Sequence, residues 1–334
     1  ESFFADGIYL GGPRVHRGSV TVGRTTIGDE SFFGNHVVIP AGTVLPNGVL
    51  LGVCTVANAE VVGPNSSWFG DPPLRLPHRE VIELDRRWTH DPTWIRRFNR
   101  RFWETLRVTL PAVPILSALL WFAGLSWSAR QLSAESFGVS DVGLAAGVLV
   151  PFWNIVIATG SCLLVLALKW FLLGRVAPGQ HALWSCWCSR WDFLYVAWGA
   201  WARGALSAFE GTLLLPWYLR AMGARIGRRT LLGGGFAHVV DPDMLDIRDG
   251  ATVNGLFQAH SFEDRVLKTD VVRIDPGASV GANSVLLYGA HLEDESRVAP
   301  HSVVMKRERI PARHEGEGCP LRVTPIVTGD NPSP

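Results

Sequence analysis

The chain of 334 residues is short of charge: Asp, Glu, Lys and Arg together make up 18%, below the roughly 25% typical of soluble globular proteins. Neither sign dominates. Thirty-one Lys and Arg against thirty Asp and Glu leave a net charge of +1, without the basic excess of a general nucleic-acid binder. Cysteine is sparse as well. Cys54, Cys162, Cys186, Cys188 and Cys319 are odd in number, scattered and free of any CxxC pair, which argues against a zinc knuckle or a disulfide framework and for a reducing, cytoplasm-facing setting. Low-complexity stretches are scarce and apolar residues make up 47%, so a mainly disordered chain is excluded. The sequence opens at Glu1, without Met or a signal-peptide pattern, and reads as part of something larger.

Length alone allows two domains. Composition divides the chain further: residues 1–82 and 224–311 are rich in Gly, Val and Thr, and the stretch between them holds nearly all the tryptophans and the long apolar runs. In the first zone Ile27, Phe33, Ile39, Leu45 and Leu51 recur every sixth position. Small or β-branched residues stand four positions after each: Ser31, Val37, Thr43, Val49 and Thr55. The later zone repeats the pattern with Ile274, Val280, Leu286, Leu292 and Val298, partnered by Ala278, Ser284, Ala290, Ser296 and Ser302. A period of six suits neither a helix nor a simple strand. It suits a parallel β-helix with three short strands per coil, one large side chain pointing inward on each side. Gly28, Gly34, Pro40, Pro46 and Gly52, directly after the large residues, are expected at the corners. The fold expected is two β-helix domains of the hexapeptide-repeat type, 1–82 (partial) and 224–320.

The middle reads as membrane. Residues 108–127 and 142–168 carry no charge, and each is long enough to cross a bilayer as a helix. Trp103, Trp127 and Trp170 sit near the ends of these runs, where amphipathic rings favour the headgroup zone. Arg86, Arg87, Arg96, Arg97, Arg100, Arg101 and Arg107 precede the first run, Lys169, Arg175 and Arg190 follow the second, and Arg130 is the one cation between. The positive-inside rule then puts both β-helix domains on the cytoplasmic side of an inner membrane. Residues 83–107 are expected as a basic linker and 108–173 as a transmembrane hairpin. In 174–223, Trp184, Trp187, Trp191, Trp198 and Trp201 recur at helical spacing, as expected of a helix lying in the interfacial plane; a buried core stripe is the plainer reading. Residues 321–334 are expected as a flexible tail.

Chemistry is sought where the repeat breaks. The hexads stop after Gln258 and resume at Ile274; the insert brings together His260, Glu263, Asp264, Arg265 and Lys268. An imidazole titrates near neutrality and suits general-base work. His260 is therefore the candidate base, with Glu263 or Asp264 to orient its ring and Arg265 to stabilise negative charge. Asp241 and Asp243, either side of Pro242, together with Gln258 and Trp68, are candidate substrate contacts. His238 is a weaker candidate base, and His36, His291 and His301 fall at solvent-facing hexad positions. No metal site is selected, although histidines converging from neighbouring subunits could in principle hold zinc.

These segments resemble the membrane-bound C-terminal region of nonribosomal peptide synthetases of the ε-poly-lysine synthetase type. The resemblance is carried by Phe257, Gln258, Ala259, His260 and the residues through Lys268, by residues 211–220 with Pro216 and Trp217, by Ser67, Trp68, Phe69, Gly70, Asp71, Pro72 and Pro73, and by Val303, Val304, Met305 and Lys306. It implies tandem acyltransferase-like β-helices, wound left-handed, that alternate with membrane helices after adenylation and carrier domains. It also implies peptide-bond formation: an aminoacyl thioester on a carrier's phosphopantetheine arm passes to an amine. No cofactor is then bound by this stretch itself, the acyl donor being the carrier thioester or CoA. Expected partners are the adenylation and carrier domains, the lipid bilayer and a second copy of the chain, with no nucleic acid. In this reading Gly7, Ile8, Tyr9 and Leu10 correspond to the return from an insert whose histidine would precede Glu1. A CoA-dependent acetyltransferase and a non-catalytic scaffold that docks a carrier domain are the alternatives.

Overall fold

The computed structural model describes residues 2–5, 7–76, 82, 84–132, 139–263 and 265–326. Two compact units emerge: Glu1–Glu83 with Glu317–Arg322, and Leu84–Gly316 with Val323–Pro334.

In the first unit the six-residue period becomes a coil. Thr26 pairs in parallel with Val44 and Phe32 with Leu50, and Val38 bridges Val56. Each partner lies three hexads further along the chain, so each side of the coil receives one short strand per turn. Phe33, Ile39, Leu45 and Leu51 are buried at its centre with Ser31, Val37, Thr43, Val49 and Thr55. Full burial of one such large side chain contributes roughly 1.5–3 kcal/mol. Tyr9 pairs with Val38 across a longer interval, because an antiparallel hairpin, Arg14–His16 with Ser19–Thr21, is expelled from that turn.

The corners are built differently from the expectation. The backbone turns at a residue of positive φ that recurs every six positions: Glu30, His36, Gly42, Gly48 and Cys54 in this unit, and Gly277, Asn283, Gly289, Glu295, His301, Arg307 and Arg313 in the other. Gly28 and Gly34 lie two residues before such turns and serve another purpose. A Cβ on Gly28 would come within 2.5 Å of the Pro46 carbonyl carbon, and one on Gly34 within 2.8 Å of the Val53 nitrogen. Glycine there lets the next coil approach.

The second unit holds a longer coil of the same kind. Arg273 pairs with His291, Ser279 with Arg297 and Val285 with Val303, again at three hexads. Every large and small hexad residue expected from Ile274 to Ser302 is buried. Two earlier turns are longer, the one that pairs Ile226 with Ile247 and the one that pairs Ile247 with Ile274. The extra length of the first is taken up by a pair of short 3-10 turns, Phe236–His238 and Pro242–Met244. That of the second forms an antiparallel hairpin, His260–Glu263 with Val266–Thr269, joined on its outer edge by the strand Gly179–Ala182.

Seven helices lie between the coils among the described residues: α1 (Arg86–Thr89), α2 (Trp94–Arg107), α3 (Ala112–Leu132), α4 (Val139–Leu172), α5 (Cys186–Trp201), α6 (Arg203–Ser207) and α7 (Leu214–Met222). The stretch read as a basic linker is thus largely helical. The segments Arg86–Gln131 and Ala146–Leu172 contain runs long and apolar enough to cross a bilayer, and only 11% and 17% of those runs are buried. A core helix of a water-soluble domain would be mostly covered; here Leu116, Leu119, Leu120 and Phe122 on α3 and Phe152, Ile155 and Leu163 on α4 face outward. The aromatic stripe of α5, by contrast, is turned into the protein. Trp198 is buried with Phe193, Leu194 and Ala197, so this helix follows the plainer reading, and the outward apolar side chains of 174–223 are instead Phe209, Leu213, Leu214 and Trp217. Within the stretch expected as a tail, Arg322–Pro325 is a strand, and residues 327–334 lie outside the described residues.

Candidate active site

The two expelled turns of the second coil meet over α5. Pro242 opens the second 3-10 turn, and Asp241 before it takes φ 61° and ψ 57°. That left-handed conformation is uncommon for a residue with a Cβ, and a following proline disfavours helical backbone further. It persists because the side chain is fastened: Asp241 is buried, its Oδ2 lies 2.8 Å from His260 Nδ1, and its Oδ1 accepts the Trp191 indole N–H at 2.6 Å. Strain held by surrounding contacts is a recurrent mark of working sites.

A carboxylate can only accept, so the proton on this edge of the ring belongs to Nδ1. Nε2 of His260 is left with its lone pair. It has no protein partner among the described residues, and the side chain is 20% exposed. Trp191 meets the imidazole edge-on, with centroids 5.1 Å apart. Successive turns of α5 supply further rings: Trp187 stacks on His181 at 3.6 Å, Tyr195 on His238 at 4.4 Å, and Trp198 meets His238 at 5.7 Å. The tryptophans at helical spacing thus form a floor beneath three histidines drawn from three separate segments.

Burial lowers the pKa of His181, although nearby Asp241 draws it back up, and burial lowers His238 despite its hydrogen bond to the Tyr195 carbonyl. Both rings are harder to protonate folded than unfolded, where the value is 6.5. Their stabilising effect is complete above that value and declines as pH falls below it, because the unfolded chain then takes up more protons. Chemical denaturation across this range should show stability falling with acidity, with a shallower slope in His181→Gln and His238→Gln; an unchanged slope in both variants would contradict the assignment.

Strand alternation divides the expected set. Side chains at His260 and Phe262 point to one face of the hairpin, and those at Ser261 and Glu263 to the other. Glu263 therefore does not orient the imidazole: it is buried against Lys268 at 3.5 Å and ion-paired with Lys306. Arg265, at the turn with φ 62°, directs its guanidinium to the Thr89 carbonyl at 3.3 Å. Asp264 lies outside the described residues. Asp243 forms a buried ion pair with Lys169 of α4 at 2.9 Å. Burial raises its pKa, against the pull of the ammonium. Gln258, half-buried, ends the strand just before the hairpin. Trp68 belongs to the first unit, buried in its core with its indole N–H on Ser66. His36 and His301 are exposed, whereas His291 is paired with Asp275 at 2.6 Å. Cys188, buried in the first turn of α5, has its thiol pushed up to about 12 by that burial, so it offers no thiolate nucleophile. A cavity of about 420 Å³ lined by Ser117, Trp121, Asn154, Ser161 and Trp201 lies among α3, α4, α5 and α6, and neither Asp241 nor any of His181, His238 and His260 lines it. No group of three or more metal-ligating side chains occurs among the described residues.

His181, Trp191, Tyr195 and Lys169 were not singled out from the sequence as part of a site. Asp241 was, but as a substrate contact rather than the partner of His260. The signal that could have found that pairing is its sequence interval, close to one turn of the coil.

Over 332 residues, 96% of its length, the chain is 33% identical to the delta-poly-L-ornithine synthetase of Acinetobacter baumannii strain AB307-0294. By sequence it is a relative of the poly-amino-acid synthetases. It spans about a quarter of that synthetase's length, 24%. No family model matches. Among solved structures, a serine O-acetyltransferase of Brucella melitensis overlaps 73% of this chain and 99% of its own at 17% identity and a TM-score of 0.23. A serine acetyltransferase of Brucella abortus strain S19 overlaps 67% and 97% at 15% identity and a TM-score of 0.22. Overlays this loose carry no argument; the pairing registers of the strands establish the coil.

Proposed function

We propose that the second unit catalyses amide-bond formation by acyl transfer: an aminoacyl group leaves a phosphopantetheine thioester on a carrier and is taken by an amine. The observation that carries this reading is the chain from Trp191 through Asp241 to His260, which leaves Nε2 as a base open to solvent. The kinship with a synthetase that, by its name, makes poly-ornithine supports an amine acceptor and an aminoacyl donor.

In the step proposed, Nε2 of His260 accepts a proton as the neutral amine attacks the thioester carbonyl carbon. The C–N bond forms, the tetrahedral intermediate collapses, the C–S bond breaks, and the imidazolium returns its proton to the departing thiolate. Asp241 steadies the positive ring during the interval.

The same reading has α3 and α4 cross a membrane as a hairpin. The arginines of α1 and α2 and the basic residues after α4 hold both ends on the cytoplasmic side, in keeping with the positive-inside rule. A left-handed winding of the coils, adenylation and carrier domains supplied elsewhere in a longer synthetase, and self-association of the coils complete the proposal.

The test is to incubate the chain, in lipid nanodiscs, with an aminoacyl-loaded carrier and a free diamine, and to look for the amide by mass spectrometry. Amide formed from the carrier thioester is the expected result. Turnover with acetyl-CoA but not with the carrier would instead favour a CoA-dependent acetyltransferase. Carrier capture without product, indifferent to changes at His260, would make the unit a docking scaffold and overturn the proposal.

A further inference from the structure

Helix α2 is built the wrong way round for water. Its inward side carries polar groups: Asn99 donates to Ser189 Oγ at 3.3 Å, Arg100 to Asp192 at 2.8 Å, Arg107 pairs with the same carboxylate, and Arg96 reaches the Trp184 carbonyl at 3.3 Å. Trp103, against Phe193 at 5.3 Å, is the main apolar contact of this side. Its outward side carries Trp94, Ile95, Phe98 and Phe102, exposed by 75%, 60%, 66% and 52%. At 3.6 residues per turn these four fall within one arc about 100° wide. Arg97 and Arg101, both exposed, border that arc along one edge.

We infer that α2 is an interfacial anchor, lying along an anionic lipid leaflet with Trp94, Ile95, Phe98 and Phe102 in the acyl boundary and Arg97 and Arg101 at the phosphates. Three observations select lipid as the occupant. The apolar arc is bordered along one edge by the exposed cations Arg97 and Arg101, as an anionic headgroup layer favours, and the carboxylate beyond them, Glu104, is already paired with Arg100. The helix leads within a few residues into α3, so its outward side lies beside the candidate crossing. And the ion pairs of Arg100 and Arg107 with Asp192 hold α2 to α5, which prevents it from rolling its apolar side inward. The inference rests on the reading of α3 and α4 as membrane-spanning and moves the interfacial element from the tryptophan-rich α5 to the arginine-rich segment before the first crossing.

The experiment uses the unmodified chain in nanodiscs of phosphatidylglycerol and phosphatidylcholine. Hydroxyl radicals in the water phase and a headgroup-proximal diazirine lipid report, by mass spectrometry, which side chains meet water and which meet lipid. Trp94, Phe98 and Phe102 are expected to resist the radicals and take up the lipid label, as are Leu119 and Leu120 of α3 with a label placed deeper in the acyl chain. In Arg97→Gln/Arg101→Gln the labelling of Phe98 should fall several-fold in anionic discs and change little in purely zwitterionic ones. If Phe98 and Phe102 are oxidised freely while Leu119 is labelled by lipid, the anchor is refuted and the crossing stands. If Leu119 is oxidised as well, the membrane reading fails and takes the anchor with it. Protection that instead depends on protein concentration, with cross-links between copies through α2, would identify a second copy as the occupant and overturn the proposal.

Discussion

Exchanging Asp241 for asparagine should cripple the chain nearly as severely as removing His260. His260→Ala eliminates the proposed base outright, and general-base assistance is worth about 10²- to 10⁴-fold in rate. Asp241→Asn keeps the shape of the side chain and changes a single hydrogen-bonding capacity, yet the geometry leaves it no harmless orientation. Trp191 presents an N–H to one terminal atom of this side chain, and only an acceptor can stand there. The amide oxygen is drawn to the indole, its NH₂ must then face Nδ1 of His260, and two donors cannot share that contact. The ring answers by moving its proton to Nε2, the atom that has to be bare. A loss of about 10²- to 10⁴-fold follows, from the wrong tautomer alone. Trp191→Phe releases the constraint, because the asparagine is free to flip and offer its oxygen to Nδ1. The double variant Trp191→Phe/Asp241→Asn should therefore recover part of the activity lost in Asp241→Asn. Amide formation with a carrier thioester, measured on all four proteins after matching their melting behaviour, checks the scheme; no recovery in the double variant would dissolve the link between Trp191 and the tautomer.

The second large effect is on stability. Lys169 and Asp243 are 1% and 2% exposed and 2.9 Å apart, with Lys169 also 3.8 Å from the centroid of the Trp170 ring. Taking both charges out of water has already cost several kcal/mol, returned only while they face one another. Lys169→Met leaves the carboxylate alone in an apolar setting and should destabilise the second unit by roughly 3–5 kcal/mol. Lys169→Met/Asp243→Leu removes both charges and should regain most of that loss, since apolar replacements of a whole buried pair are often neutral or better. Denaturant melts in detergent give the comparison, and equal destabilisation in the single and double variants would show that the pair is not coupled. Activity ought to follow, for Asp243 lies two residues from Asp241 and holds the same turn against α4.

The six-residue period was legible because it counts something physical: one inward side chain per side of the coil. Ile274, Val280, Leu286, Leu292 and Val298 are all buried, as the spacing required. The corners were misassigned because glycine has two uses that look identical in a sequence. At Gly28 and Gly34 it yields space to the next coil, whereas the bends themselves take His36, Glu295 or Arg313 in the strained region. His260 was singled out because the repeat breaks around it. The carboxylate that meets its ring, Asp241, was not paired with it, because one three residues away on the same strand, Glu263, is the obvious choice until alternation is applied. The strand Gly179–Ala182, which brings His181 to the hairpin across three helices and the opening of the second coil, leaves no periodic trace. The arginines of 94–107 hid a helix whose apolar residues fall on the side away from the protein, and a count of cations does not register that phase.

Asp241 and His260 sit on excursions that leave consecutive turns of one coil, and those turns are stacked at the spacing of hydrogen-bonded strands, about 4.7–4.9 Å in any protein. The stacked turns thus give the two excursions a common rigid footing, and any change in the length of either has to leave Asp241 within reach of His260.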